Sequence, residues 1–116
     1  MTVKQLIREL EDYLNEDTKE RYYNKLYFSD GWGYDSYTID CVYFRCGEVV
    51  LQSNETDNGN WCLIIPYIIH CLRFFNPNTE VCIQVSDDNL DWEYLDTNYT
   101  YIDDDDNFQI SCCSRD

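Results

Sequence analysis

The run Ile64-Ile65-Pro66-Tyr67-Ile68-Ile69-His70-Cys71-Leu72-Arg73-Phe74-Phe75-Asn76-Pro77-Asn78-Thr79-Glu80-Val81-Cys82-Ile83-Gln84-Val85-Ser86 changes its hydrophobic period once. From Ile64 to Phe75 the apolar residues recur at helical spacing, with Ile65, Ile68, Ile69 and Leu72 on one face. Pro66 falls in the first turn, where its missing N–H has no intrahelical partner to lose. Asn76-Pro77-Asn78 stops the helix. From Thr79 to Ser86 the period is two, with Val81, Ile83 and Val85 pointing inward. A helix that hands over to a strand across a short turn argues for an α+β fold. Tyr67, Cys71, Phe74 and Phe75 make this helix apolar almost all round. That predicts central burial, the commoner outcome, or a homodimer contact through Ile64–Phe75 that Ile68→Asp would abolish.

Downstream, Tyr94 to Ile102 and Asn107 to Cys112 read as a closing hairpin across Asp103-Asp104-Asp105-Asp106. Upstream, the same order occurs once before. Thr2 and Gln5 form a capping box, and Val3, Leu6, Ile7, Leu10, Tyr13 and Leu14 line one face of a first helix. Strands are predicted at Tyr23–Ser29, at Tyr37–Phe44 with Ile39, Cys41 and Tyr43 on one side, and at Glu48–Ser53 after the Arg45-Cys46-Gly47 turn. Ile65, Ile68, Ile69 and Leu72 repeat the placement of Val3, Leu6, Ile7 and Leu10, and Ser86-Asp87 repeats Ser29-Asp30. The expectation is a single α+β domain over 1–116. It is built from two tandem αβββ units, 1–53 and 61–113, joined by a polar connector at 54–60, with an antiparallel sheet and two helices.

The opening Thr2-Val3-Lys4-Gln5-Leu6-Ile7 with Leu10, the strand Leu26-Tyr27-Phe28-Ser29-Asp30, the strand Gly47-Glu48-Val49-Val50-Leu51 and the junction Asn76-Pro77-Asn78-Thr79-Glu80-Val81 resemble small uncharacterised proteins of phages and mobile elements. These motifs cap a helix and turn a chain, so the resemblance implies an origin and not an activity. Composition points the same way. The chain has no alanine and is rich in Asn, Asp, Tyr and Ile, as an AT-rich genome would encode.

Lysine also has AT-rich codons, yet only Lys4, Lys19 and Lys25 occur. With 23 Asp+Glu against 8 Lys+Arg, the formal charge is -15. Direct binding to nucleic-acid phosphates or to anionic membranes is excluded as an expectation. The excess of acid is larger than solubility needs and costs stability by self-repulsion. A hydrophobic fraction of 44% and an aromatic fraction of 16% argue for a packed core and against disorder.

The first residues lack the apolar stretch of a signal peptide, and no apolar run reaches membrane-span length, so a cytoplasmic location in a bacterial host is expected. The seven cysteines then read as reduced thiols, mostly packed as small hydrophobes. No Cys-x-x-Cys pair supports zinc, and no cofactor or metal is expected.

Three constellations compete for function. The loops Asp30–Tyr37 and Asp87–Tyr94 each mix Trp and Tyr with acids, which marks Trp32, Tyr34, Asp35, Asp91, Trp92 and Glu93 as partner-binding candidates. The competing reading is that both tryptophans fold back over the sheet. The second constellation, Asp103, Asp104, Asp105 and Asp106, would steer a basic partner; four adjacent acids repel, so the turn is expected to be solvated and mobile unless a cation neutralises it. The third, His70-Cys71, reads as a surface histidine beside a buried cysteine, because adjacent helical residues do not face each other.

The expected function is therefore a non-catalytic acidic module that binds a basic host protein. In size, charge and origin it is similar to the acidic anti-CRISPR and restriction inhibitors. That analogy implies occupation of a basic nucleic-acid-binding cleft. The alternatives are a self-assembling protein using the second helix, and a small-ligand or nucleotide binder using the aromatic loops.

Overall fold

A computed structural model describes residues 1–16, 20–29, 36–54, 62–86 and 92–115. The elements run α1 (Val3–Leu14), β1 (Leu26–Ser29), β2 (Ser36–Thr38), β3 (Cys41–Arg45), β4 (Glu48–Asn54), α2 (Ile65–Leu72), β5 (Glu80–Ser86), β6 (Trp92–Ile102) and β7 (Phe108–Ser114). The fold is α+β. One seven-stranded sheet has the order β2-β1-β7-β6-β5-β4-β3. Its two outermost strands, β2 and β3, are consecutive in the chain with only Ile39 and Asp40 between them, so the sheet curls back on itself.

The sheet is mixed, which corrects the antiparallel expectation. β4 runs parallel to β5 (Glu48↔Glu80 to Asn54↔Ser86), and β1 runs parallel to β7 (Leu26↔Phe108 to Ser29↔Ser111). Parallel neighbours need a crossover, and α2 supplies it between β4 and β5. The remaining pairs are antiparallel.

Each helix start is satisfied by the other half of the chain. In α1 the capping box forms as expected: Gln5 N donates to Thr2 Oγ1 at 3.2 Å, and Thr2 N donates to Gln5 Oε1 at 2.9 Å. Two further N-terminal donors of α1, Val3 N and Lys4 N, reach the carbonyls of Thr79 and Pro77 at 2.9 Å. In α2 the cap residue Ile64 has no side chain to offer, and Ile65 N donates to Asn24 O at 2.9 Å. The matching isolated bridges are Thr2↔Glu80 and Lys25↔Ile64.

One core joins both helices to one face of the sheet. Val3, Leu6, Leu10 and Tyr13 of α1 and Ile65, Ile68, Ile69 and Leu72 of α2 meet Leu26, Phe28, Val49, Leu51, Val81, Ile83, Leu95, Phe108 and Ile110. Two sequence expectations change here. The predicted strand 37–44 breaks at Ile39-Asp40. That break places Ile39 and Val42 on the core side, while Cys41 and Tyr43 face away and bond to Gln52 and Gln84. Helix α2 ends at Leu72, short of the expected Phe75, and is not enclosed on all sides, because Tyr67 is 56% exposed; Phe74, just past its end, is 76% exposed. Among the cysteines, only Cys112 joins the core; Cys82 is buried, Cys41, Cys62 and Cys71 are half-buried, and Cys46 and Cys113 are exposed.

Candidate functional site: an acidic groove along the first helix

The apolar stripe of α1 dictates where its acids go. With Leu6, Leu10 and Tyr13 against the sheet, Glu9, Asp12 and Glu16 fall on the flank at i, i+3 and i+7. All three line a groove of about 350 Å³ between α1 and the end of β6, whose other wall is Thr100, Tyr101, Ile102 and Phe108. Past Glu9 and Thr100 it continues into a second depression of about 470 Å³, lined by Met1, Gln5, Arg8, Asn98 and Tyr99. Thr100 Oγ1 donates to Glu9 Oε2 at 3.4 Å across the groove.

Ile102 leads from the groove directly into the tetra-aspartate turn, which the structure divides into two kinds of acid. Asp103 turns inward. Its Oδ1 accepts from Asp105 N and Asn107 N at 2.9 Å each, and its Oδ2 accepts from Gln109 Nε2 at 2.8 Å. Burial opposes ionisation of Asp103. The bonds from Gln109, Asn107 and Asp105 outweigh it and hold the carboxyl below the usual carboxylate range. Asp106 adopts a left-handed φ of 66°. Its carboxylate accepts both Nε and Nη2 of Arg21, at 3.1 and 2.5 Å. Asp104 and Asp105 remain as the outward acids of the turn.

The base of this region is tied together by Tyr13. Its hydroxyl donates to Asp106 O at 2.5 Å and accepts from Asn24 Nδ2 at 2.8 Å. Its ring meets Phe108 edge-on at 5.4 Å and carries the Arg21 guanidinium 4.1 Å above it. Arg21 also donates through Nη1 to Tyr13 O at 2.8 Å and to Glu16 Oε2 at 2.7 Å.

Other arginines are engaged in the same manner. Arg73 pairs with Glu11 at 2.5 Å, and Arg115 pairs with Glu48 and, at 2.8 Å, with Asp96. Glu9, Asp12, Asp104 and Asp105 therefore have no ion-pair partner among the described residues. On the sheet face turned away from the helices, Tyr43 donates to Gln84 Oε1, and Gln84 Nε2 donates to Tyr94 Oη at 3.0 Å. Arg45 Nη1 donates to the same hydroxyl, and its guanidinium lies 5.6 Å from the Tyr94 ring.

Of the residues expected from sequence, Trp32, Tyr34, Asp35 and Asp91 lie outside the described residues. Trp92 is the first residue of β6, opposite Ser86, and Glu93 is exposed opposite Val85. The surface that the structure adds is the Glu9-Asp12-Glu16 flank. Its signal was present in the sequence as acids at helical spacing beside an apolar stripe. His70 is exposed and touches the rings of Tyr67 and Phe74, while the thiol of half-buried Cys71 is pushed up by burial.

The groove offers carboxylates, a hydroxyl and apolar walls, a set that binds N–H donors and cations. Among the described residues no group of three or more His, Cys, Asp or Glu side chains converges as a metal site would need. No described helix is long and apolar enough to cross a membrane. No family model matches this chain, and no curated protein and no solved structure matches it either.

Proposed function

We propose that this chain is an acidic protein-binding module of phage or mobile-element origin. Its groove along α1 and the adjoining Asp104-Asp105 receive a basic surface of a host protein. The observation that carries this reading is the division of charge. Arg21, Arg73 and Arg115 are engaged in internal ion pairs, and Glu9, Asp12, Asp104 and Asp105 are exposed without an ion-pair partner among the described residues. The turn that presents Asp104 and Asp105 is held by Arg21 and Gln109, so the acids are pre-positioned. In its most specific form the partner is a nucleic-acid-binding protein and the acids stand where phosphates would bind, without catalysis by this chain. Such binding is fast and falls steeply with salt.

The reading further takes the chain as two αβββ units, 1–53 and 61–113, sharing one core. Its support is the reciprocity of the helix starts: Thr2 bridges Glu80 as Ile64 bridges Lys25, and β1 lies parallel to β7 as β5 lies parallel to β4.

The test is a pull-down from a low-GC bacterial lysate, eluted with graded salt and separately with duplex DNA. The wild type is compared with a variant carrying Glu9→Gln, Asp12→Asn, Asp104→Asn and Asp105→Asn. The expected result is a captured protein released by moderate salt and by DNA and not retained by the variant. Capture that resists salt, ignores DNA or persists in the variant overturns the proposal.

A further inference from the structure

On the sheet face turned away from the helices, a pocket of about 190 Å³ opens beside the β3–β4 hairpin, and it shares no residue with the acidic groove. Arg45 and Glu48 at the hairpin, Val50 of β4, Cys82 of β5, Tyr94 of β6 and Arg115 just past β7 line it. Its floor is apolar. Val50 and Cys82 are each 1% exposed, yet neither belongs to the core that the helices cover. Two guanidiniums flank one ring, with Arg45 at 5.6 Å and Arg115 at 6.0 Å from the Tyr94 centroid.

The two arginines differ in what they hold. Arg115 is committed to Glu48 and Asp96. Arg45 donates through Nη1 to the Tyr94 hydroxyl, a neutral group, and has no ion-pair partner among the described residues. Tyr94 is in turn fixed by Gln84 Nε2 at 3.0 Å, and Gln84 is 4% exposed. A chain with 23 acids and 8 bases thus keeps a guanidinium beside an apolar floor, steadied by a buried network and unmatched by any carboxylate among the described residues.

We propose that this pocket binds a small monocarboxylate with a short apolar body. The guanidinium of Arg45 takes the carboxylate, because its N–H groups form a planar fork that matches two carboxylate oxygens. Val50, Cys82 and the Tyr94 ring take the body. Charge sets the ligand's sign and limit. A cation is opposed by two guanidiniums at one ring, and a neutral molecule leaves Arg45 unmatched. A dianion is repelled more strongly than a monoanion by Glu48 in the pocket wall and by the net charge of -15. Size sets the body. Pockets for drug-sized ligands run from about 300 to 1,000 Å³, and this one is smaller.

The experiment is titration of the full chain with propionate and with benzoate at constant ionic strength, followed by amide NMR shifts, which also verify folding of each variant. Propionamide, benzamide and inorganic phosphate are titrated in parallel. The expected result is a saturable shift at millimolar carboxylate, centred on the amides of Val50, Cys82 and Tyr94, and at least tenfold weaker with the two amides and with phosphate. Arg45→Gln should weaken carboxylate binding tenfold or more. Arg8→Gln, which removes an exposed arginine that likewise has no ion-pair partner among the described residues, should leave it within twofold. Shifts that do not saturate, equal binding of the amides, tighter binding of phosphate, indifference to Arg45→Gln, or an equal loss with Arg8→Gln overturns the proposal.

Discussion

Arg21 and Asp106 are 85 residues apart and meet in a two-pronged ion pair in which both oxygens of Asp106 accept from one guanidinium. Arg21 is 3% exposed. Its hydrogen bond to Asp106 raises its pKa, which burial opposes and Glu16 reinforces, so it stays charged. The pair converts the most acidic run of the chain from a loose turn into an anchored one. It also commits both oxygens of Asp106 to Arg21, which leaves less of its charge for a partner.

Removing the guanidinium leaves Asp106, Glu16 and the carbonyl of Tyr13 without their shared donor. Arg21→Met is expected to destabilise the fold by about 2 kcal/mol, below the usual range for a fully buried pair because Asp106 is partly exposed. Arg21→Lys should recover little of it, since an ammonium cannot donate in a planar fork to Asp106 and also reach Tyr13 O. Urea unfolding followed by circular dichroism measures both.

Asp103 gives the fold a pH dependence whose sign follows from its lowered pKa. A group depressed in the folded state contributes stability that is fully present above its unfolded pKa and lost as pH falls through its folded one. Wild type should therefore lose this contribution below the ordinary carboxylate range. Asp103→Asn should show no such step, since an amide does not titrate in this range, and it should be less stable at neutral pH because its NH₂ would oppose Gln109 Nε2. Protonation of other acids relieves repulsion and acts in the opposite direction, so the difference between the two proteins is the quantity to follow. Urea midpoints from neutral to strongly acid pH provide it; parallel curves for the two proteins would refute the assignment.

Features written locally were legible in the sequence. The Thr2–Gln5 box, the turn at Cys46-Gly47 and the closing hairpin all rest on residues within a few positions of one another, whereas the second helix ends at Leu72, ahead of the stop read at Asn76-Pro77. Features that depend on distant strands were not. Nothing near β1 or β4 announces a parallel neighbour, because parallel pairing is set by where the chain returns after a crossover. The break at Ile39-Asp40 arises because Ile39 and Val42 both reach the core, which no two-residue period permits. The covered side of α2 is visible in sequence, since Ile65, Ile68, Ile69 and Leu72 are the residues that pack, whereas the exposure of Tyr67 is not. Likewise, the run Asp103–Asp106 shows four equal acids until Arg21 and Gln109 are seen to claim two of them.

The one-sided packing of α2 predicts a sharp contrast within a few residues. Ile68→Ala removes a fully buried side chain from between α2 and the sheet and should cost about 3 kcal/mol. Phe74→Ala, at a residue 76% exposed, should change monomer stability by less than about 0.5 kcal/mol. Thermal unfolding at low protein concentration makes the comparison. Equal losses would mean that Phe74 is buried in the isolated chain.

The hairpin between β3 and β4 turns on Cys46 and Gly47, with φ of 53° and 81°. Two left-handed residues in a two-residue loop form the turn whose twist matches the strands, and asparagine is far better suited than cysteine to the first of them. Cys46→Asn should therefore stabilise the fold by about 0.5 kcal/mol. The same substitution counts thiols. Cys46 and Cys113 are exposed, whereas Cys41 and Cys71 are raised in pKa by burial, and the Cys82 thiol is pushed up to about 11 by burial and the nearby Glu48 carboxylate, against the opposing Arg115. Titration of the native protein with a disulfide reagent should show two prompt thiols, Cys46→Asn should show one, and denaturant should release seven and six respectively. The half-buried Cys41, Cys62 and Cys71 should follow more slowly, and prompt reaction of buried Cys82 or Cys112 would contradict the packing of the sheet around it.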